Sequence, residues 1–181
     1  MRLIHTINIA LSLALIALSI NAYPDLPERI PLHFGLNGEP DRWGSPSLLS
    51  WLMLPLIGVA TVVFLYITAA VVPRYPKSFN VPDRKKFMEL PSHLQQWVMR
   101  GILNVMHVLS TTILVTFGGI QYGAWESAHS GGASSMLTAA IVFSLVSTPF
   151  VTIAFFAVSQ RRVDAAWRAF QADGEEAAVP A

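Results

Sequence analysis

The sequence predicts an all-α, polytopic membrane protein with four transmembrane helices and an ordered Pro/Gly-rich outer loop after the first helix. Three observations predict this class. Only 13% of the residues are charged, where a water-facing surface requires roughly 25%. The charges are excluded from four windows, Leu3–Pro24, Trp43–Pro73, Gly101–Trp125 and Ser127–Gln160. Each window exceeds the ~20 apolar residues that carry a helix across a ~30 Å hydrocarbon core. Finally, Tyr23, Trp43, Trp51, Tyr75, Trp97, Tyr122 and Trp125 fall near the ends of these windows, where amphipathic rings sit at the headgroups. Among the Tyr and Trp residues, Tyr66 alone lies well inside a span.

The first span is expected near Leu3–Asn21. Arg2 supplies a minimal positive start, and Ile20-Asn21-Ala22 loosely resembles a signal-peptidase site. Isoleucine at the third position before the cut is a poor match and the apolar run is long, so a retained helix is expected, with cleavage as the rival. The segment Leu26–Gly44 follows. Pro24, Pro27, Pro31, Pro40 and Pro46 restrict the backbone and push their predecessors toward extended conformations. Gly35, Gly38 and Gly44 permit turns, and Asn37-Gly38 is a strong turn signal. Leu26, Ile30, Leu32, Phe34, Leu36 and Trp43 are apolar enough to pack on helix ends. A compact cap is expected rather than a slack linker.

The second span is expected near Leu49–Val72, with Ser45-Pro46 as its cap and first-turn proline. A basic loop, residues 74–91, carries Arg84-Lys85-Lys86 beside Phe87, Met88 and Leu90. It suits contact with anionic lipid, docking of a cytoplasmic partner, or simple retention of topology. The third span, near His93–Gln121, begins with a candidate capping box, Ser92 and Gln95. The loop 126–134 ends in a Ser/Gly-rich turn. Ser134 or Ser135 is placed to cap the fourth span, near Ser135–Ser159. Pro55 and Pro149 lie inside spans two and four and should bend them. Val163, Trp167 and Phe170 recur at helical spacing among Arg161, Arg162 and Arg168, as in an interfacial helix, before a tail expected to be disordered. Three regions result: 1–48 with the first helix and motif loop, 49–160 with three further helices, and 161–181 with the juxtamembrane helix and tail.

Orientation follows from the basic residues. Of the 12 Lys and Arg, the first loop holds Arg29 and Arg42; every other one falls before span one, between spans two and three, at the start of span three where the helix is expected to emerge from the bilayer (Arg100), or after span four. The positive-inside rule therefore puts both termini in the cytoplasm of a cell membrane and the motif loop outside. The net charge of +1 conceals this asymmetry. With no cysteine, disulfide and thiolate chemistry are excluded.

Ionisable groups within a span suggest function by default. Here His107 lies near the middle of span three, one turn beyond Asn104. Interhelical hydrogen bonding is the simpler use for both, and a proton or ligand site is the sharper one. No catalytic signature is present: HExxH, GxSxG, phosphate-binding glycine loops and paired carboxylates at catalytic spacing are all missing, so no enzyme is expected. His33, Glu39 and Asp41, joined by Glu126 and His129, are the side chains a divalent cation would use. Their spacing matches no metal motif. No metal or cofactor is expected, and hydrogen bonding that stiffens the loop is the simpler reading.

The run Leu26-Pro27-Glu28-Arg29-Ile30-Pro31-Leu32-His33-Phe34, then Asn37-Gly38-Glu39-Pro40-Asp41-Arg42-Trp43-Gly44, closely resembles the signature of a bacterial membrane family, domain of unknown function 1648. Its pattern, LPxxIPxHFxxxGxPD, follows a first membrane helix. The same domain opens SdpI-type immunity proteins, which protect cells from a secreted toxic peptide and signal to a cytoplasmic repressor. The resemblance implies the membrane fold and an outer motif comprising Pro27, Pro31, His33, Phe34, Gly38, Asp41 and Trp43. It also implies a peptide ligand outside and a cytoplasmic regulator or self-association inside. It covers about the first third of the chain, and the helices that follow the domain in the immunity protein have no clear counterpart here. The expected partners are thus the lipid bilayer and an extracellular peptide, with no nucleic acid. The alternatives are a small transporter or channel subunit using Asn104, His107, Pro55 and Pro149, and a metal-dependent membrane enzyme using His33 and Asp41.

Overall fold

The computed structural model describes residues 2–35, 37–76 and 80–178, with side chains described through 172. The elements are α1 (Arg2–Ala22), a 3-10 turn (Tyr23–Asp25), β1 (Ile30–Phe34), β2 (Pro40–Gly44), α2 (Leu48–Val71), a second 3-10 turn (Val72–Arg74), α3 (Arg84–Glu89), α4 (Ser92–Ser130) and α5 (Ser135–Ala178). The helices α1, α2, α4 and α5 are long and apolar enough to cross a membrane. Two spans are longer than the sequence suggests. α4 runs on through Glu126 to Ser130, which shortens the loop before α5, and α5 continues without a break past Ser159. The end of the tail, 179–181, lies outside the described residues.

The sidedness of these helices is that of a protein dissolved in lipid. Leu13, Leu18, Phe64, Leu145, Phe150 and Ile153 are each 65–69% exposed, which water would not tolerate on so many neighbouring turns. Polar side chains instead turn inward: Asn8, Ser19, Ser110, Thr116, Gln121 and Ser159 are all buried. Hydrocarbon gives apolar side chains no reason to hide, so helices associate through small residues and interhelical hydrogen bonds.

The chain divides into two compact units, and α2, α4 and α5 contribute to both. The first comprises Met1–Phe64 and Leu109–Thr148. In it Thr111 Oγ1 of α4 donates to Asn8 Oδ1 of α1 at 2.7 Å. Trp51 Nε1 of α2 donates to the Ser19 carbonyl of α1 at 2.8 Å. Pro55 has no N–H to offer the Trp51 carbonyl four residues back, and Gln121 Nε2 of α4 takes that place at 3.2 Å. The α4–α5 contact rests on Gly119 and Gly123, four residues apart. A Cβ at Gly119 would lie 2.7 Å from the Cβ of Ala140, and one at Gly123 would lie 2.7 Å from the backbone nitrogen of Leu137. Gly58 of α2 is met likewise by the Phe117 ring, 2.9 Å from a Cβ there.

The helix caps are local. Ser134 starts α5 as expected, its Oγ accepting from the Leu137 N–H at 3.0 Å and donating to Glu126 Oε2 at 2.5 Å. For α2 the cap is Ser47, not Ser45. Its Oγ accepts from the Ser50 N–H at 3.1 Å while Ser50 Oγ accepts from the Ser47 N–H at 3.0 Å, a reciprocal box two residues further on. Gln95 donates to the Phe87 carbonyl at 3.1 Å, tying α4 to the end of α3.

The second unit comprises Leu65–Val108 and Pro149–Ala181. Its core is Val81, Phe87, Leu90, Val98, Met99, Ile102, Val163 and Ala166, so the basic segment around α3 is folded against α4 and α5. Asp83 stands at φ 50°, left-handed, just before α3. Lys86 donates to Asp83 Oδ2 at 2.6 Å, and this bond holds the Asp83 carboxyl below its ordinary range and the Lys86 ammonium above its own.

Candidate functional site

The proline-rich segment folds as an antiparallel β-hairpin, an addition to the all-helical architecture read from the sequence. β1 pairs with β2 through Ile30 opposite Gly44, Pro31 opposite Trp43, His33 opposite Arg42 and Phe34 opposite Pro40. The register shifts twice, between Pro31 and His33 and between His33 and Phe34. Both strands contain proline, which cannot donate to a ladder, so a short, irregular two-stranded ribbon is what these residues can make. Period-two burial is correspondingly weak, and no clean alternation announced the strands in the sequence.

The hairpin turns at Asn37-Gly38. Gly38 has φ 78°, a conformation that favours glycine. The Gly38 N–H donates to the Gly35 carbonyl and the Gly35 N–H donates to the Glu39 carbonyl, both at 2.9 Å. Asn37 Oδ1 accepts from the Glu39 N–H at 3.2 Å, and its Nδ2 donates to Glu39 Oε2 at 2.7 Å. A Cβ on Gly38 would lie 3.4 Å from Thr138 Oγ1, so the turn rests against the start of α5.

The base of the hairpin is anchored in the helices. Ile30 is 2% exposed and packs with Trp51, Ala124 and Ala128; Leu26, Phe34, Tyr23 and Trp125 surround that cluster. His129 of α4 joins the same region, its Nδ1 lying 2.8 Å from the Trp125 carbonyl and its Nε2 lying 3.0 Å from the Asp25 carbonyl.

Of the motif residues, Pro31 and Gly38 are buried, and Pro27, Phe34 and Trp43 are half-buried. His33 and Asp41 are the two that remain open, with side chains 60% and 51% exposed. They face each other across the strands, His33 Nδ1 lying 2.6 Å from Asp41 Oδ1. The hairpin thus converts eight residues of sequence separation into one polar pair on a rigid support. It does not bring the remaining acidic and histidine side chains there. Glu39 is occupied by Asn37, Glu126 by Ser134, and His129 by two carbonyls. Among the described residues no group of three metal-ligating side chains forms.

Beside the hairpin anchor, in the first unit, a groove of about 480 Å³ runs between α1 and α4. It is lined by Leu15, Leu18, Trp51, Gly118, Tyr122 and Trp125 among others. Gly118 opens it, since a Cβ there would meet nothing within 4 Å. The sequence reading passed over this feature and the neighbouring Gly119–Gly123 contact. The Gly-x-x-x-Gly spacing within an apolar run was the available signal.

The intramembrane pair belongs to the second unit and does not join this site. His107 is buried, its ring 4.6 Å from that of Tyr66 and inclined by 58°, while Asn104 is half-buried.

The comparisons agree with the position of the hairpin. Residues 10–59, from within α1 through the hairpin to the first part of α2, match the family Domain of unknown function (DUF1648). A relative described as an uncharacterized protein of Archaeoglobus fulgidus is 31% identical over 137 residues, covering 71% of this chain and 72% of its own length. No solved structure matches the chain. The anchored hairpin, the four apolar helices and this relative together place the chain, an integral membrane protein, in the DUF1648 family.

Proposed function

We propose that this protein recognises a peptide at the outer face of the cell membrane, in an immunity or sensing role, without catalysis. One observation carries the reading: the hairpin is fixed to the helix ends by buried Ile30, yet holds His33 and Asp41 open to solvent. A rigid support loses little entropy on binding, and a polar pair on a hairpin whose anchor adjoins an apolar groove suits an amphipathic ligand. The groove next to Trp51 would take apolar side chains, and His33 with Asp41 would fix polar ones.

Orientation enters as part of the proposal. The basic residues outside the hairpin segment, Arg84, Lys85, Lys86, Arg161 and Arg162 among them, support cytoplasmic termini and an outward hairpin. The folded segment around α3 would then face the cytoplasm, where a regulator or a second copy would read the state of the protein.

The small transporter or channel subunit is the second reading. Its residues, Asn104 and His107, lie in the second unit, and His107 makes an aromatic packing contact with Tyr66, which a structural role explains equally. Liposome flux abolished by His107→Ala would favour it.

The test of the leading reading is a survival assay. Cells making the wild type, an Asp41→Asn variant or a His33→Ala variant are challenged with a panel of membrane-active peptides. The expected result is protection or induction by the wild type against at least one peptide, lost in both variants at equal membrane abundance. Identical sensitivity of deletion and wild-type cells across the panel would remove the proposal.

A further inference from the structure

The groove between α1 and α4 is tied at both ends. At one end Thr111 Oγ1 donates to Asn8 Oδ1 at 2.7 Å. At the other, His129 Nε2 lies 3.0 Å from the carbonyl of Asp25, in the turn that follows α1. These partners are 103 and 104 residues apart in the chain, so α1 and α4 run parallel and in step. The groove occupies the interval between the two ties. Its walls begin at Leu11 and Leu114 and end at Ala22 and Trp125. Ala14 and Gly118 lie in that interval, and a Cβ on Gly118 would meet nothing within 4 Å.

Its depth in the membrane follows from the sequence. The charge-free windows Leu3–Pro24 and Gly101–Trp125 end, on the hairpin side, where the groove ends. The wall from Leu11 to Ala22 is about 16 Å of helix at 1.5 Å per residue. Half of a ~30 Å hydrocarbon core is about 15 Å. The groove therefore spans the hairpin-side leaflet, from its surface to the middle of the bilayer. Trp51, Tyr122 and Trp125 gather at the surface end, the depth that such rings prefer.

This shape selects the occupant. A helix from a second copy would cross both leaflets and is about 10 Å wide; the groove closes half-way, at Asn8 and Thr111. Side chains of a water-borne peptide reach the rim beside Trp51 and leave the lower part empty. A single fatty acyl chain is narrow, apolar and as long as one leaflet is deep, so it fills the whole length. Charge then distinguishes what carries the chain. Asp25 and Glu126 stand just beyond the two walls, and the hairpin segment adds Glu28, Glu39 and Asp41 against Arg29 and Arg42. Such an acidic mouth repels a phosphate headgroup and draws ammonium groups.

We propose that the ligand is a basic peptide bearing one fatty acyl chain, the chain lying in this groove and the basic residues meeting the carboxylates at its mouth, which rests on the outer-face recognition proposed above.

The test uses the full-length protein in phosphatidylcholine nanodiscs and a myristoylated tetralysine peptide with a photoreactive diazirine in its acyl chain. After irradiation, mass spectrometry should find the label on residues 11–22 and 114–125. Its yield there should be about fivefold above that of a phosphatidylcholine carrying the same diazirine at equal mole fraction. Gly118→Leu and Ala14→Leu fill the groove from its two walls without changing charge; each should cut the labelling about fivefold while the thermal midpoint stays put. Replacing tetralysine by tetraglutamate should abolish the excess over phosphatidylcholine. Equal labelling by phosphatidylcholine and the acylated peptide overturns the proposal, since the groove then holds bilayer lipid. Labelling undiminished in Gly118→Leu and Ala14→Leu overturns it as well. So does an unacylated peptide that the survival assay shows to need His33 and Asp41, if the groove stays unlabelled; outer-face recognition would then stand without the chain. Groove labelling that neither His33→Ala nor Asp41→Asn alters supports the acyl chain and removes the polar pair from recognition instead.

Discussion

Gln121 shows how one side chain settles a problem created by another. Proline inside α2 leaves the Trp51 carbonyl without its helical donor, and Gln121 supplies one from α4. Gln121→Leu keeps the volume and removes the donor. The expected loss is about 1–2 kcal/mol, the cost of an unsatisfied buried acceptor moderated by the modest worth of interhelical bonds in membranes. Unfolding by denaturing detergent in mixed micelles measures it. Restoring an N–H by Pro55→Ala should rescue most of the Gln121→Leu loss, because the carbonyl then regains its own helical partner.

Glycines five residues apart on α4 make a sharper comparison at the same scale. Gly118 faces the open groove, and Gly123 lies against the backbone of Leu137. Gly118→Ala should be neutral or slightly stabilising. Gly123→Ala forces two helices apart and should cost about 1–3 kcal/mol, the range of overpacked contacts. Equal effects in the same detergent assay would mean that the α4–α5 contact is not made as described.

At the scale of elements, α3 is a helix of six residues that cannot stand by itself. It is held by Phe87 in the core of the second unit and by the Asp83–Lys86 pair. The pH response of that pair has a definite sign. Asp83 has a lowered carboxyl, so its contribution is complete above the ordinary aspartate value of about 3.9 and disappears as pH falls through the lower folded value. Lys86 is raised, so its contribution is complete below about 10.4 and disappears as pH climbs through its higher folded value. Hydrogen exchange of the α3 amides, corrected for intrinsic rates, should therefore be flat between about pH 5 and 9 and accelerate only beyond those limits. Asp83→Asn should remove the acid limb. The start of α2 is simpler: Ser47→Ala deletes the reciprocal cap and should cost about 0.5–2 kcal/mol.

For the whole molecule the decisive property is which side of the membrane each face occupies. A chain without cysteine makes this measurement clean. Single cysteines at His33 and at Lys85 should react oppositely to a membrane-impermeant maleimide: His33→Cys in intact cells, Lys85→Cys only after permeabilisation. Labelling at position 33 confined to permeabilised cells would reverse the proposed orientation and take the outer-face function with it.

The sequence by itself determined the solvent of this protein. A chain that keeps charge out of four windows of membrane length can only place them in lipid, because a buried charge there costs more than any local packing returns. It also marked the motif, since proline and glycine act on their own backbone wherever they stand. Tertiary structure alone decided what depends on partners distant in the chain. The two bulged strands, the pairing of His33 with Asp41, the donation from Gln121 to Trp51 and the passage of Arg162 over Gly101 each join residues that no local period relates. Hydropathy records how much a residue prefers oil to water. Which other residue it meets is set by helix packing, where one missing Cβ permits a contact that an added methyl would forbid.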